Sequence, residues 1–309
     1  MLTARAGAPN VHAMAEQLMP PPEEWESLVP GSATITWRRA GDVRVLLAAG
    51  YALLLQVSHP TVGAGVTEHS RFRTDPWGRL LRTLDYSCTM VYAGAGRAAE
   101  MGARLREFHK QIRGVRPDGV PYHALEPQAY AWVHATLAAG ILRAHERFAF
   151  RLTDTDREHL WSEWRTLGRL LGIRPRDLPP TWPGFRVYFE GTVEETLQRT
   201  EAVEEVLEAL ADPLPPDVPL ALRPLWPLVA RQLGHVVGLA TAGLLPPILR
   251  ERFGIPWGHA RELELQAISR ALRLATPLMP PYLLNTGPGY LEWRSEQLAR
   301  GDVASAQLP

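Results

Sequence analysis

The run from Val43 to Val57, VRVLLAAGYALLLQV, constrains the fold most, because it is apolar on nearly every face. A helix without a polar face has to be enclosed by other elements. His59-Pro60 ends it, since the residue before a proline avoids the helical region. With 46% hydrophobic residues in 309, the chain has enough apolar material to build that enclosure. The run is shorter than the roughly eighteen apolar residues of a membrane-spanning helix and contains Gln56, so no transmembrane segment is expected. Peripheral membrane contact stays open.

Charge narrows the function. Thirty-three basic and thirty-three acidic residues give a formal net charge of zero. The general attraction that drives nucleic-acid binding therefore has no source, and nucleic acid is set aside. Cys88 is the lone cysteine, which suits a reducing compartment. The N-terminus lacks an uninterrupted apolar stretch of the secretory kind, so a cytoplasmic location is expected.

Along the chain, residues 1–34 read as an arm, 35–290 as a single helical domain and 291–309 as a C-terminal tail. The segment TVGAGVTEHSRFRT, with two glycines and no helical period, predicts a loop. Asp75 as N-cap and Pro76 in the first helical position predict a helix to about Ala93. At 100° per residue, that helix puts Arg79, Arg82, Thr83, Tyr86 and Met90 on one face. A further helix spans about Ala98 to Ile112 and carries His109, with Gly114 as C-cap. Small residues keep the middle of the next helix, Pro127 to about Phe148, slim enough for a partner or flat ligand to approach closely.

Further helical periods follow, interrupted by the Pro-rich stretch DPLPPDVP, and the chain after Pro277 reads as irregular. No hairpin signal and no internal repeat is visible. The expected fold class is all-α, a multi-helix assembly.

Most metal and hydrolase chemistries are excluded by motif. None of the ten histidines has a glutamate three positions before it, so the carboxylate-bridged di-iron pattern is absent. HExxH and GxSxG are missing, and one cysteine builds neither a zinc ribbon nor an iron–sulfur site. A b-type haem needs only one protein ligand beyond its porphyrin nitrogens. His109 is compatible with that role, and equally with core packing or a contact at a helix C-terminus.

The strings ALLLQVSHPTVGAGVTEHSRF, RLLRT, the FH of LREFHKQIRG, EPQAYAWVHATL and LLPPILRERFGIPW carry a resemblance. In that order they are similar to the bacterial family related to rubber oxygenase (latex clearing protein) and to the fungal mycophenolate-pathway oxygenase, over about Ile35 to Tyr290. The resemblance implies a globin-like helical core and a haem b whose iron is held by His109. It also implies that Arg79, Arg82 and Thr83 face the other side of the haem, and that Arg106 pairs with a propionate. Where rubber oxygenases have Lys, this chain has Arg82, and a guanidinium offers donors only. A resting haem without a lysine ligand is the expectation.

Glu68 is a candidate base or proton relay, or else an exposed carboxylate. His134 and His145 share a helix face, His134 as a neighbour of the cofactor or both as hydrogen-bonded core residues; His59 caps a helix end. The resulting expectation is an oxygenase using O2 on an apolar small molecule. A non-catalytic haem protein for transport or sensing, and a haem-free ligand-binding protein, are the alternatives.

Overall fold

The computed structural model describes residues 19–70, 74–149, 151–213 and 226–300. Fifteen α-helices and two short strands make up these residues. The first six helices are α1 (Trp25–Leu28), α2 (Ile35–Ala40), α3 (Ala49–Val57), α4 (Pro60–His69), α5 (Pro76–Tyr92) and α6 (Ala95–Lys110). The strands β1 (Arg113–Val115) and β2 (Pro121–His123) lead to α7 (Pro127–Phe148) and α8 (Asp154–Leu167). Then come α9 (Trp182–Glu195), α10 (Glu201–Ala211), α11 (Trp226–Leu244), α12 (Pro247–Phe253), α13 (His259–Ala275), α14 (Pro281–Leu284) and α15 (Gly287–Arg300). The fold is all-α, as expected.

The apolar run lies at the centre, with Tyr51, Leu54, Leu55 and Val57 excluded from solvent. It is not one uniform helix: Val43–Ala48 is a 3₁₀ segment, opened by the Asp42 carboxylate accepting from the Arg44 amide, and α3 follows. On one side α7 packs against both pieces, and Gly140 lets the backbones approach, since a Cβ there would already touch Ala52 and Ala48. Trp132 fixes the register by donating from Nε1 to the Leu55 carbonyl at 2.8 Å. On another side α11 covers α3. No single helix among the described residues is long and apolar enough to cross a membrane, and the segments Val43–Val57 and Pro60–His69 meet at 103°.

Three expectations need correcting. Residues 60–69 form the helix α4, not a loop: Pro60 starts it at a position where a missing N–H costs nothing. Gly63 serves close packing there, since a Cβ would crowd the Val57 carbonyl and Thr200. Secondly, Gly114 is no C-cap, because α6 ends at Lys110 and Gly114 pairs with Tyr122 in the antiparallel β1–β2 ribbon. Thirdly, the chain after Pro277 forms α14 and α15. Polar anchors dock α15 on α5: Arg294 grips both oxygens of Asp85 at 2.9–3.0 Å, and the Tyr290 hydroxyl donates to Asp85 at 2.6 Å. The Pro-rich stretch near 213 falls largely outside the described residues.

Helix α6 rests on the turn at 168–171 through Gly102, where a Cβ would overlap the Leu170 carbonyl. Alanine raises helix propensity by up to about 1 kcal/mol, but overpacking against rigid backbone costs about 1–3 kcal/mol. Gly102→Ala is therefore expected to lower the urea unfolding midpoint, and an unchanged or higher midpoint would contradict this contact.

Burial also holds His59, His134 and His145 below the ordinary histidine pKa, His134 at about 4. The unfolded chain then binds more protons than the folded one between about pH 6.5 and 4, so stability is present above that window and lost through it on acidification. His134 alone accounts for on the order of 3 kcal/mol of that loss. Urea unfolding at pH 7 and pH 5 should show the decrease, with a shallower slope in His134→Gln.

Candidate active site

Five helices, α3 to α7, wall an apolar cavity, α3 through Gln56 alone. Its volume is about 230 Å³, room for on the order of eight waters and just short of the roughly 300–1,000 Å³ typical of small-molecule pockets. α4 contributes Val66 and His69, α5 contributes Arg79, Arg82, Thr83 and Tyr86, α6 contributes Leu105, Phe108 and His109, and α7 contributes Tyr130, Val133, His134 and Leu137. The packing of α3 against α7, and of α6 on the 168–171 turn, sets this spacing.

His109 lies in the last turn of α6. Its Nδ1 is 2.6 Å from the Leu105 carbonyl oxygen. A carbonyl only accepts, so Nδ1 carries the proton in that bond. Burial lowers the pKa of the ring, aided by His123 and Arg79 and opposed by the Leu105 bond. The neutral tautomer that results has its lone pair on Nε2, which is the form that ligates a metal. The rings of Phe108 and Tyr130 meet the imidazole edge-on, at 5.4 and 5.5 Å between centroids.

The α5 wall is cationic. Asp75 caps the helix by accepting from the Gly78 amide at 2.8 Å, and the same carboxylate receives Arg82 Nη1 at 3.2 Å. Arg82 Nε is buried without a partner in the protein. Arg79 donates to the Ser70 hydroxyl at 2.6 Å. Burial, with Arg82 nearby, pulls the Arg79 pKa down to about 10, so it stays charged at neutral pH. The Thr83 hydroxyl donates to the Arg79 carbonyl at 3.0 Å, which leaves its lone pairs, not its proton, for the cavity.

Other sequence candidates are placed differently. Glu68 is half exposed and accepts from the Tyr122 hydroxyl at 2.6 Å, outside the cavity wall, where its neighbours His69 and Ser70 stand instead. Arg106 is also off the wall, with Nε and Nη1 buried and unpartnered close to Tyr130. His134 lines the cavity, stacks on Trp164 and holds the Trp164 carbonyl through Nε2 at 2.8 Å. His145 holds the Arg39 carbonyl away from the cavity, a core histidine. His59 stands at the N-cap of α4 without a side-chain cap bond.

Sequence reasoning missed Tyr130 and the cavity role of Gln56. Tyr130, four residues before His134 on the same face of α7, was detectable by helical spacing. Gln56 stood out as the polar residue of the central run, but nothing there indicated what it faces.

Among the described residues, no group of three or more His, Cys, Asp or Glu converges as a metal site. A neutral imidazole, an apolar slot and guanidinium nitrogens buried without a partner, Arg82 Nε on the wall and Arg106 Nε and Nη1 off it, form a donor set compatible with haem b.

The family described as ER-bound oxygenase mpaB/B'/Rubber oxygenase, catalytic domain, matches residues 37–274. Two mycobacterial relatives, the uncharacterized proteins Mb2261 of Mycobacterium bovis and Rv2237 of Mycobacterium tuberculosis, are each 26% identical over 232 residues, which is 74% of this chain and 87% of theirs. No solved structure matches the chain. With most of its length inside that match, the chain belongs to the mpaB/rubber oxygenase family of oxygenases.

Proposed function

We propose that the protein is a haem b-dependent oxygenase that uses O2 to oxidise or cleave an apolar small molecule, with His109 as the iron ligand. The observation that carries this is the His109 ring, neutral by burial and bonded through Nδ1, with its Nε2 lone pair left over in an apolar cavity. Haem b, when bound, supplies an iron centre that binds and activates O2.

The remaining work falls to the chain. The Leu105 carbonyl fixes the His109 tautomer and ring orientation. Arg79 and Arg82 place desolvated positive charge along α5, where it stabilises negative charge developing in the cavity. Asp75 and Ser70 hold the two guanidinium groups in place. A propionate would be the natural partner for Arg106, whose Nε and Nη1 are buried and unpartnered near Tyr130. Apolar side chains such as Val66, Phe108 and Leu137 exclude water and bind substrate by burying its surface.

The test is O2 consumption by the haem-loaded protein over a panel of alkenes and aromatic compounds. Uptake is expected with at least one apolar substrate. Arg79→Gln should reduce kcat by on the order of a hundredfold, as removal of a charge-stabilising donor does, while the haem content is unchanged. No uptake with any compound, or full activity in the variant, would contradict the proposal.

A further inference from the structure

Two residues of the cavity point to the kind of substrate it takes. His134 is 3% exposed, and its Nε2 is committed to the Trp164 carbonyl, which only accepts. The proton therefore sits on Nε2, and Nδ1 is a lone-pair acceptor. That Nδ1 is buried and has no partner. The indole of Trp164 donates back to the His134 carbonyl at 2.9 Å and stacks on the ring, so the imidazole cannot rotate to relieve the deficit.

Gln56 lines the same cavity from α3. Its Nε2 donates to the Thr136 hydroxyl at 3.0 Å, and Thr136 passes its own proton to the Val133 carbonyl at 2.7 Å. This chain of donors turns the amide nitrogen toward α7 and leaves Oε1 as the unused atom. Both residues line a cavity that is otherwise mostly apolar, and each keeps one acceptor atom without a protein partner. An unmet buried acceptor costs about 1–3 kcal/mol, and a ligand that supplies the donor recovers it.

We propose that His134 Nδ1, with Gln56 Oε1 as a second acceptor in the same cavity, forms a hydroxyl-recognition subsite, so that the substrate is an apolar alcohol or phenol and not a bare hydrocarbon. A carboxylate is disfavoured there, because it brings acceptors to acceptors. The inference rests on the cavity being the substrate chamber, and it depends on neither haem nor O2.

Isothermal titration calorimetry of the purified full chain with 1-naphthol and 1-methoxynaphthalene tests it, because the two probes differ in the O–H donor. The wild type should bind the naphthol about five- to tenfold tighter, the equivalent of one neutral hydrogen bond. His134→Gln keeps a side-chain N–H for the Trp164 carbonyl but has no acceptor at the Nδ1 position. Its preference should fall to about one, with 1-methoxynaphthalene affinity unchanged. His134→Asn, with an oxygen near the Nδ1 position, should retain a preference, and Gln56→Leu should reduce it.

Equal binding of the two probes by the wild type, binding of neither, or an undiminished preference in His134→Gln would each overturn the subsite. The wild-type ratio decides the matter even if a variant fails to fold. Loss of the preference with O2 uptake intact would leave the oxygenase function standing; absence of O2 uptake with the preference present would leave the subsite standing.

Discussion

A helix with no polar face has to be surrounded, and the enclosure of α3 governs the rest of this structure. Gly140 lets α7 lie close against Ala48 and Ala52 of the central run, and α11 closes another side. Because α7 must show its small residues to α3, it turns Tyr130, Val133, His134 and Leu137 toward α4, α5 and α6. The cavity is where those helices diverge. Its walls are therefore carried mostly on packed helices, with Ser70, Ile112 and Ala124 added from the connections, and the helices preorganise the polar groups they bear.

Desolvation tunes those groups. It keeps His109 and His134 neutral at physiological pH and leaves Arg79 charged, although with a pKa drawn down to about 10. Each imidazole surrenders one nitrogen to a main-chain carbonyl and keeps the other as a lone pair. Neutral histidines on α6 and α7 thus line the same apolar chamber as cations on α5. In water this separation would be screened, whereas in a low-dielectric cavity it orients whatever enters.

Much of this was legible in the sequence. Asp75-Pro76 marked the start of α5, and helical spacing put Arg79, Arg82, Thr83 and Tyr86 on one face, all four of which line the cavity. The length of α7, Pro127 to Phe148, also followed from its pattern. Misreadings arose where one residue type serves two physical purposes. Gly63 looked like a loop residue but provides close approach within α4. α15 was hidden because its docking rests on Arg294 and Tyr290 reaching Asp85, more than 200 positions away, and not on an apolar period. Glu68 and Arg106 are near the right helices, yet which way a side chain at a helix edge turns is set by partners such as Tyr122 that periodicity does not reveal.

Ligation of haem by His109 is the central claim. Titration of the purified protein with haemin, followed by UV–visible spectroscopy before and after dithionite, in parallel with His109→Ala, tests this most directly. A saturable Soret band in the wild type that is lost or strongly shifted in His109→Ala, with the variant's helical content intact, is the predicted result. A wild type that takes up no haem, or a variant with an identical spectrum, would contradict it.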